Sequence, residues 1–499
     1  MIRKAEQYPE GFTEKVQCCV IGSGAGGGTV AGLLAEAGWE VLLLEEGEHV
    51  PKERMTQREE QMYPLLYRDG GNQLSHDGGV NVLQGSALGG STVINMADVT
   101  DTPEAVVEHW RRSFGLSRHD FAGWDAAAQA SRKGILANHI PRSRVNRNGQ
   151  LLLEGAAKLK LPGRTFDHNR VGCVDSGYCG VGCAYDAKKS TALTWIPRGV
   201  ATGRLQVQTE ARAERLERSG SRISAVHGRL RNGKSFIVEA EHVVLAAGAV
   251  HSPLILKASG LGGSALGWNL SLQPQAPVTA LFEETVDQFR GIPQAAYIDE
   301  YEHNTAEAGL GGFRIESVGS GPGMSAASTL GWGPEAMELM AGFRNVAACL
   351  CLVPDRPGGR VTRRWGHKLR PKIRYTLQKD WQRRMREALK LACHIYLEAG
   401  ARAVLPPVLG ASPMRRVDDL KQLDRLPLES NRLPIISAHP QGTCRVGSDP
   451  RSSVVDERFF VHGVDNLQVL DASVFPTSAS SHTMVPVMQV AHLGVAELL

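Results

Sequence analysis

His439, in the segment His439-Pro440-Gln441-Gly442-Thr443, and His482, in Ser480-Ser481-His482-Thr483, carry the side chains of this chain best suited to moving a proton. Imidazole titrates close to neutral pH, so it can take a proton from a hydroxyl group or return one. Gly442 leaves little bulk beside a planar ring. A buried structural histidine is the commoner use of an isolated His, and the pair gains meaning from what accompanies it.

Near the other end, Gly22, Gly24 and Gly27 make a G-x-G-x-x-G between a short β-forming run, Val16 to Ile21, and a helix-like pattern, Thr29 to Ala37. Glycines so placed permit a tight turn and let backbone N–H groups approach a pyrophosphate at a helix N-terminus. Glu45 closes the next buried run, Glu40 to Glu45, roughly 20 residues on, where a carboxylate accepts from both ribose hydroxyls. Strand, turn, helix and acid together predict dinucleotide binding. They leave NAD and FAD equally open, because both present an ADP half.

A third cluster, Cys173, Cys179 and Cys183, sits in a glycine-rich loop. Three thiols could ligate a metal or an iron–sulfur cluster with a fourth ligand from elsewhere, but the spacing fits no common finger. Small cysteines packing a tight loop is the simpler reading, and no metal is expected.

The elements that must position these groups follow from periodicity. Strand, glycine turn, helix and strand within the opening residues form a βαβ unit, which builds a parallel sheet. A second glycine segment, Gly85 to Asn95, reads as a ligand-facing loop and helix start. Residues 106 to 200 alternate weakly patterned helices with loops. Regular β patterning returns with Leu205 to Thr209, Ser224 to Leu230 and Val243 to Ala247, the last running through Gly248 into a helix-like Pro253 to Ser259. Strands and loops occupy Ala276 to Asp355. Trp381, Met385, Leu389 and Ala392 then fall at helical spacing within Asp380 to Ala399. The basic stretch from Arg356 to Lys390 reads as a solvated strand and helix face.

At 499 residues the chain exceeds the size at which one core keeps growing, which predicts two structural units. Its 42% hydrophobic and 22% charged residues exclude a disordered or fibrous chain. A formal charge of +4 is too small to imply a nucleic-acid partner. Nine cysteines, an odd set without a short secreted framework, predict free thiols in a reducing compartment. Met1 to Gln17 lacks the apolar core of a signal peptide, so a cytoplasmic location is expected. No uninterrupted apolar stretch of about 18 residues occurs, which argues against a spanning helix and leaves peripheral membrane contact open.

Two further segments decide the family. Gly85-Ser-Ala-Leu-Gly89-Gly90-Ser91-Thr92-Val-Ile-Asn95 and Gly248-Ala-Val-His-Ser252-Pro253-Leu-Ile-Leu-Lys-Ala-Ser-Gly260 resemble segments of the glucose-methanol-choline (GMC) flavoprotein oxidoreductases. The resemblance continues through Gly267-Trp-Asn269-Leu270, Pro357-Gly-Gly-Arg360-Val361, His439-Pro-Gln-Gly442-Thr443-Cys-Arg and Asp471-Ala472-Ser473-Val-Phe-Pro476-Thr477, in family order and across nearly the whole chain.

That resemblance implies an α/β fold: a Rossmann-like FAD-binding domain with a discontinuous α+β substrate domain. Residues 1–105, 201–275 and 435–499 would form the first, and 106–200 and 276–434 the second. It implies FAD held through its ADP half by Gly22, Gly24, Gly27 and Glu45. Gly85, Gly90, Ser91 and Asn95 would lie along the flavin, and Asp471 and Ala472 near the ribityl and pyrophosphate. Gly248 belongs to the same cofactor-binding set. Relatives that attach the flavin covalently place a histidine just before Asn95; Ile94 stands here, so non-covalent FAD is expected.

The implied activity is oxidation of an alcohol CH–OH group to an aldehyde or ketone. A base removes the hydroxyl proton while hydride leaves carbon for flavin N5. The resemblance makes His439 the base facing N5. His482, where relatives carry His or Asn, becomes the second polar group, steadying negative charge on the substrate oxygen. Which imidazole holds the proton first stays open, since a neutral ring can donate or accept.

Gly177-Tyr178-Cys179-Gly180-Val181-Gly182-Cys183 resembles the long-chain alcohol oxidase branch and points to an apolar or aromatic alcohol. Two departures sit beside the reacting centre: Val446 where Met is common, and His482-Thr-Met-Val-Pro486 in place of the commoner Asn-Pro. The electron acceptor, whether oxygen, a quinone or a redox protein, stays open, and with it the choice between oxidase and dehydrogenase. A lyase or light-driven decarboxylase on the same scaffold is the alternative, disfavoured by both histidines. A flavin-carrying electron-transfer subunit is another, with the Cys173 to Cys183 loop as a second redox centre.

Overall fold

The computed structural model describes residues 1–302, 311–328, 333–367 and 369–499. The first apolar run extends back to Phe12, so β1 spans Phe12–Ile21 and buries Cys18, Cys19, Val20 and Ile21 completely or nearly so. After the glycine turn, α1 runs over Ala25–Glu36, and β2, Val41–Leu44, returns beside β1 in parallel register.

The helix starts four residues earlier than its periodicity suggests, because Gly26, Gly27 and Gly28 lie inside it. Glycine is a poor helix former and hides such a turn from pattern reading. Its use here is steric. A Cβ on Gly26 would sit 1.9 Å from the Leu470 carbonyl oxygen, and one on Gly27 1.9 Å from that of Gly22. Only hydrogen fits between helix and sheet at these positions.

The sheet around β1 has eight strands among the described residues. Ile2–Arg3, Leu205–Gln208, β2, β1 and β3 (Ser235–Leu245) run parallel, and Leu467–Val469 adds a further parallel strand on the far end of β3. Arg222–Leu230 and Ala211–Ser219 continue from β3 as an antiparallel extension. After β3 the chain turns at Gly248, where φ is +81°, into α2 (Gly248–Ala258). A second strand–turn–helix thus lies beside the first.

The second sheet is mainly antiparallel. β4 (Gln275–Leu281), β5 (Arg314–Ser317) and β6 (Val346–Leu352) form its centre, with β6 between the other two. Helix α3, Lys379–Glu398, lies across this sheet and buries Trp381, Met385, Leu389 and Ala392 against it. The indole N–H of Trp381 donates to the Val353 carbonyl at 3.2 Å. β7, Ile435–Ser437, pairs with β4 at one end and runs parallel to Val80–Val82.

Two cores follow. One gathers β1, β2, β3 and α1 with Trp110 and Trp124; the other gathers β4, β6 and α3. The last helix, α4 (Met484–Ala496), packs on α1, with Pro486 in its first turn, where a missing N–H is tolerated. Among the described residues no helix is long and apolar enough to cross a membrane.

Trp381 anchors α3 to the sheet that supports the site. Trp381→Ala should cost about 3–5 kcal/mol and visibly lower the thermal unfolding midpoint. Unchanged melting would show that α3 is held by other contacts.

Candidate active site

A cavity of about 350 Å³ opens at the C-terminal ends of the parallel strands β1 and β2 and of β3, where open α/β sheets place their ligands. Gly22, Gly24, Glu45, Gly85, Gly90, Ser91, Asn95, Gly248, Asp471 and Ala472 all line it, together with His439 and His482. Gly27 does not, and serves the close contact of α1 with β1.

The walls suit a dinucleotide. The N-cap of α1, Gly24, offers no side-chain cap, so the first backbone N–H groups of a 12-residue helix end at the cavity as an anion site. The loop bearing Gly90 crosses the glycine turn so closely that a Cβ there would lie 2.8 Å from the Gly24 Cα. Glu45 is buried. Its Oε2 accepts from the N–H of Ser23 at 3.1 Å and from the Ser23 hydroxyl at 2.5 Å, and its Oε1 from the N–H of Gly47 at 2.7 Å. Burial raises its pKa against these bonds, and Oε1 keeps a lone pair for a ribose hydroxyl.

Other predicted residues turn out to brace the walls. Asp471 Oδ2 accepts from the Gly248 N–H at 2.8 Å and from the Ser252 hydroxyl, and Oδ1 from the Ser473 N–H at 2.8 Å, which fastens the start of α2. Ser91 Oγ accepts from the Gly85 N–H at 3.0 Å. Lys188 holds the Asn95 carbonyl at 2.7 Å.

At one end of the cavity the two histidines meet. His439 lies just beyond β7 and is 6% exposed. His482 lies just before α4, its N–H donating to Thr100 Oγ1 at 2.9 Å. Their rings stand at 83°, and His439 Nε2 is 3.3 Å from His482 Nδ1. The far nitrogen of each ring is occupied. His439 Nδ1 faces Gln273 Oε1 at 3.1 Å and Gln275 Nε2 at 3.3 Å, while His482 Nε2 faces Glu316 Oε1 at 3.0 Å. Donation from His439 Nδ1–H to Gln273 leaves Nε2 as the acceptor.

Glu316, on β5, is fully buried. Its Oε2 accepts from Gln294, and Arg314 approaches Oε1 at 3.4 Å while pairing with Glu302. Burial alone would raise the Glu316 pKa, but His482 and Arg314 overcome it and hold the carboxyl at about 2. Burial would likewise lower His482; attraction and hydrogen bonding to Glu316, with Asp98 nearby, carry it above its ordinary value. His439 is pushed down to about 3 by burial and by the neighbouring His482. The pair is therefore polarised: His482 holds its proton more readily than an ordinary imidazole, and His439 far less readily.

Glu316 and the two glutamines were not singled out from sequence. One signal was available, since Arg314 and Glu316 are two apart in a short strand and so share a face, and charges on a buried face need partners. Cys173, Cys179 and Cys183 are free thiols, and among the described residues no group of three or more His, Cys, Asp or Glu side chains could hold a metal ion.

Comparison with known proteins finds relatives of this chain. Two family models, both described as GMC oxidoreductase, match residues 63–275 and 355–491. A GMC-type oxidoreductase of Mycobacterium tuberculosis is 32% identical over 487 residues, covering 97% of this chain and 75% of that protein. A long-chain-alcohol oxidase of Arabidopsis thaliana is 27% identical over 519 residues, covering 97% and 69%. Among solved structures, pyridoxine 4-oxidase from Mesorbium loti superimposes with a TM-score of 0.74 at 20% identity, over 96% of this chain and 98% of the other.

Glu316→Gln keeps the shape of the residue and removes its charge. His482 then loses the attraction that keeps it protonated, burial dominates, and its pKa falls. A rate that needs the imidazolium should lose its alkaline limb at lower pH and drop about 10²-fold near neutrality, the usual cost of one preorganised donor. A pH profile of kcat/KM checks this; an unmoved limb would separate Glu316 from the chemistry.

Proposed function

We propose that this chain, which belongs to the GMC oxidoreductase family, uses non-covalently bound FAD to oxidise the CH–OH group of an apolar or aromatic alcohol to an aldehyde or ketone. The observation that carries this reading is the convergence of His439 Nε2 and His482 Nδ1 at the wall of the dinucleotide cavity, with the proton affinities of the two rings pushed in opposite directions.

A hydroxyl placed against both nitrogens can hand its proton to His439 Nε2 while its oxygen is held by the N–H of His482. The charge on His482 depresses the basicity of the resting His439. Proton transfer becomes favourable as negative charge grows on the substrate oxygen, because that charge offsets the imidazolium. The task is thus divided, with one ring accepting the proton and the other stabilising what is left behind. FAD in the cavity would accept the hydride from the alcohol carbon.

Non-covalent attachment is supported by Ile94, which lines the cavity with a side chain that has no nucleophile. Val318, Leu350 and Met484 line the same cavity and would meet the apolar part of the substrate, in keeping with the long-chain-alcohol oxidase among the relatives. Electrons would leave the reduced flavin to oxygen, a quinone or a redox protein.

An anaerobic absorbance spectrum of the purified protein, titrated with short, long and aromatic alcohols, tests the proposal. Some alcohol should bleach the oxidised flavin band, His439→Ala should slow bleaching by about 10³-fold, and acid precipitation should release the flavin into the supernatant. Rapid recovery in air would identify an oxidase. Absence of flavin, or a flavin that no alcohol reduces, would defeat the proposal.

A further inference from the structure

One polar group of the cavity makes no hydrogen bond to the histidine pair, although its charge acts on His482. Asp98, in the two-residue strand Asp98–Val99, pairs through its backbone with His168 and is among the residues that line the cavity. It is 4% exposed, and its Oδ1 is buried without a hydrogen-bond partner. Such a group is costly, since a buried acceptor that gives up water without replacing it destabilises the fold by about 1–3 kcal/mol. Buried polar atoms are otherwise almost always paired, so an orphan on a residue that lines a ligand cavity calls for a donor.

Its surroundings narrow the donor. Burial pushes the Asp98 carboxyl up to about 7, against the pull of His482 and Arg170. The charged groups acting on it are His482, Arg170 and Arg314 on one side and Glu316 on the other. Arg314 is also paired with Glu302, so with Asp98 counted the cations and carboxylates here are balanced, and an uncharged donor leaves that balance undisturbed. A neutral hydroxyl suits the site, because it can donate to Asp98 in its ionised form and accept from it when protonated. Val318, Leu350 and Met484 supply the apolar wall for the rest of the molecule.

Resting on the alcohol-oxidising reading above, we propose that Asp98 determines specificity by hydrogen-bonding a second, non-reacting hydroxyl of the substrate, which is therefore a neutral alcohol with an apolar body and at least two hydroxyl groups. A purely aliphatic or aromatic monoalcohol would leave Asp98 desolvated and unpaired, and sites built to hydrogen-bond a hydroxyl discriminate strongly against analogues that lack it.

The test compares matched alcohols: benzyl alcohol with its three ring-hydroxylated isomers, and alkan-1-ols with the corresponding diols. Anaerobic rapid mixing gives the second-order rate of flavin reduction for each in the wild type, Asp98→Asn and Asp98→Leu. In the wild type the preferred hydroxylated member of a pair should react at least about 10²-fold faster than its parent. Asp98→Leu should bring that ratio to within about threefold, and Asp98→Asn should keep part of the preference. The melting temperature of Asp98→Leu should be equal to or above that of the wild type, whereas a structural role would lower it. A wild-type ratio near one, or a ratio that survives Asp98→Leu, would overturn the proposal while leaving alcohol oxidation intact. A flavin that neither kind of alcohol reduces would overturn both.

Discussion

The pairing of Glu316 with His482 is the interaction on which the rest of the site depends. A carboxylate with no exposed surface survives in the interior only because Arg314, Gln294 and His482 surround it. In return it raises the proton affinity of a buried imidazole that burial alone would lower. A proton held there, 3.3 Å from His439, disfavours one on the second ring. A single buried acid thus assigns different states to two side chains of the same kind, the pattern expected where one site needs both an acceptor and a donor of protons.

Both sheets are needed to assemble this group. The first supplies the cavity floor: β1, its glycine turn and α1 come together so closely that no side chain fits between them, which is why the N–H groups at the head of the helix face open space. The second supplies the chemistry's supports, Gln275 on β4, Glu316 on β5 and His439 just after β7. His482 reaches the same point from the segment leading into α4, whose helix packs back on α1. The two facing nitrogens therefore sit between two cores, which limits how far either ring can move.

Much of this was legible in the amino-acid sequence, for identifiable reasons. The βαβ unit, the glycine fingerprint and the two histidine segments are local, and local patterns survive as text. The start of α1 was harder to see because Gly26 to Gly28 oppose helix propensity and are tolerated through tertiary contact. β3 begins at Ser235, eight residues before the apolar run that announced it, because its first half alternates and pairs with Arg222–Leu230 at the edge of the core. Glu316, Gln273 and Asp98 went unnoticed for a different reason. Their importance lies in what faces them across the fold, at 166 positions of separation in the case of Glu316 and His482, and no spacing rule reaches that far.

The division of labour between the two imidazoles can be observed directly. In protein labelled with 15N in histidine, nitrogen chemical shifts report the charge and tautomer of each ring as pH is varied, and His439→Gln and His482→Gln variants assign the signals. His482 should be an imidazolium at pH 6.5 and lose its proton above that value. His439 should remain neutral from alkaline pH down to about 4, with the proton on Nδ1. Two neutral rings at pH 6.5, or a charged His439 beside a neutral His482, would contradict the account.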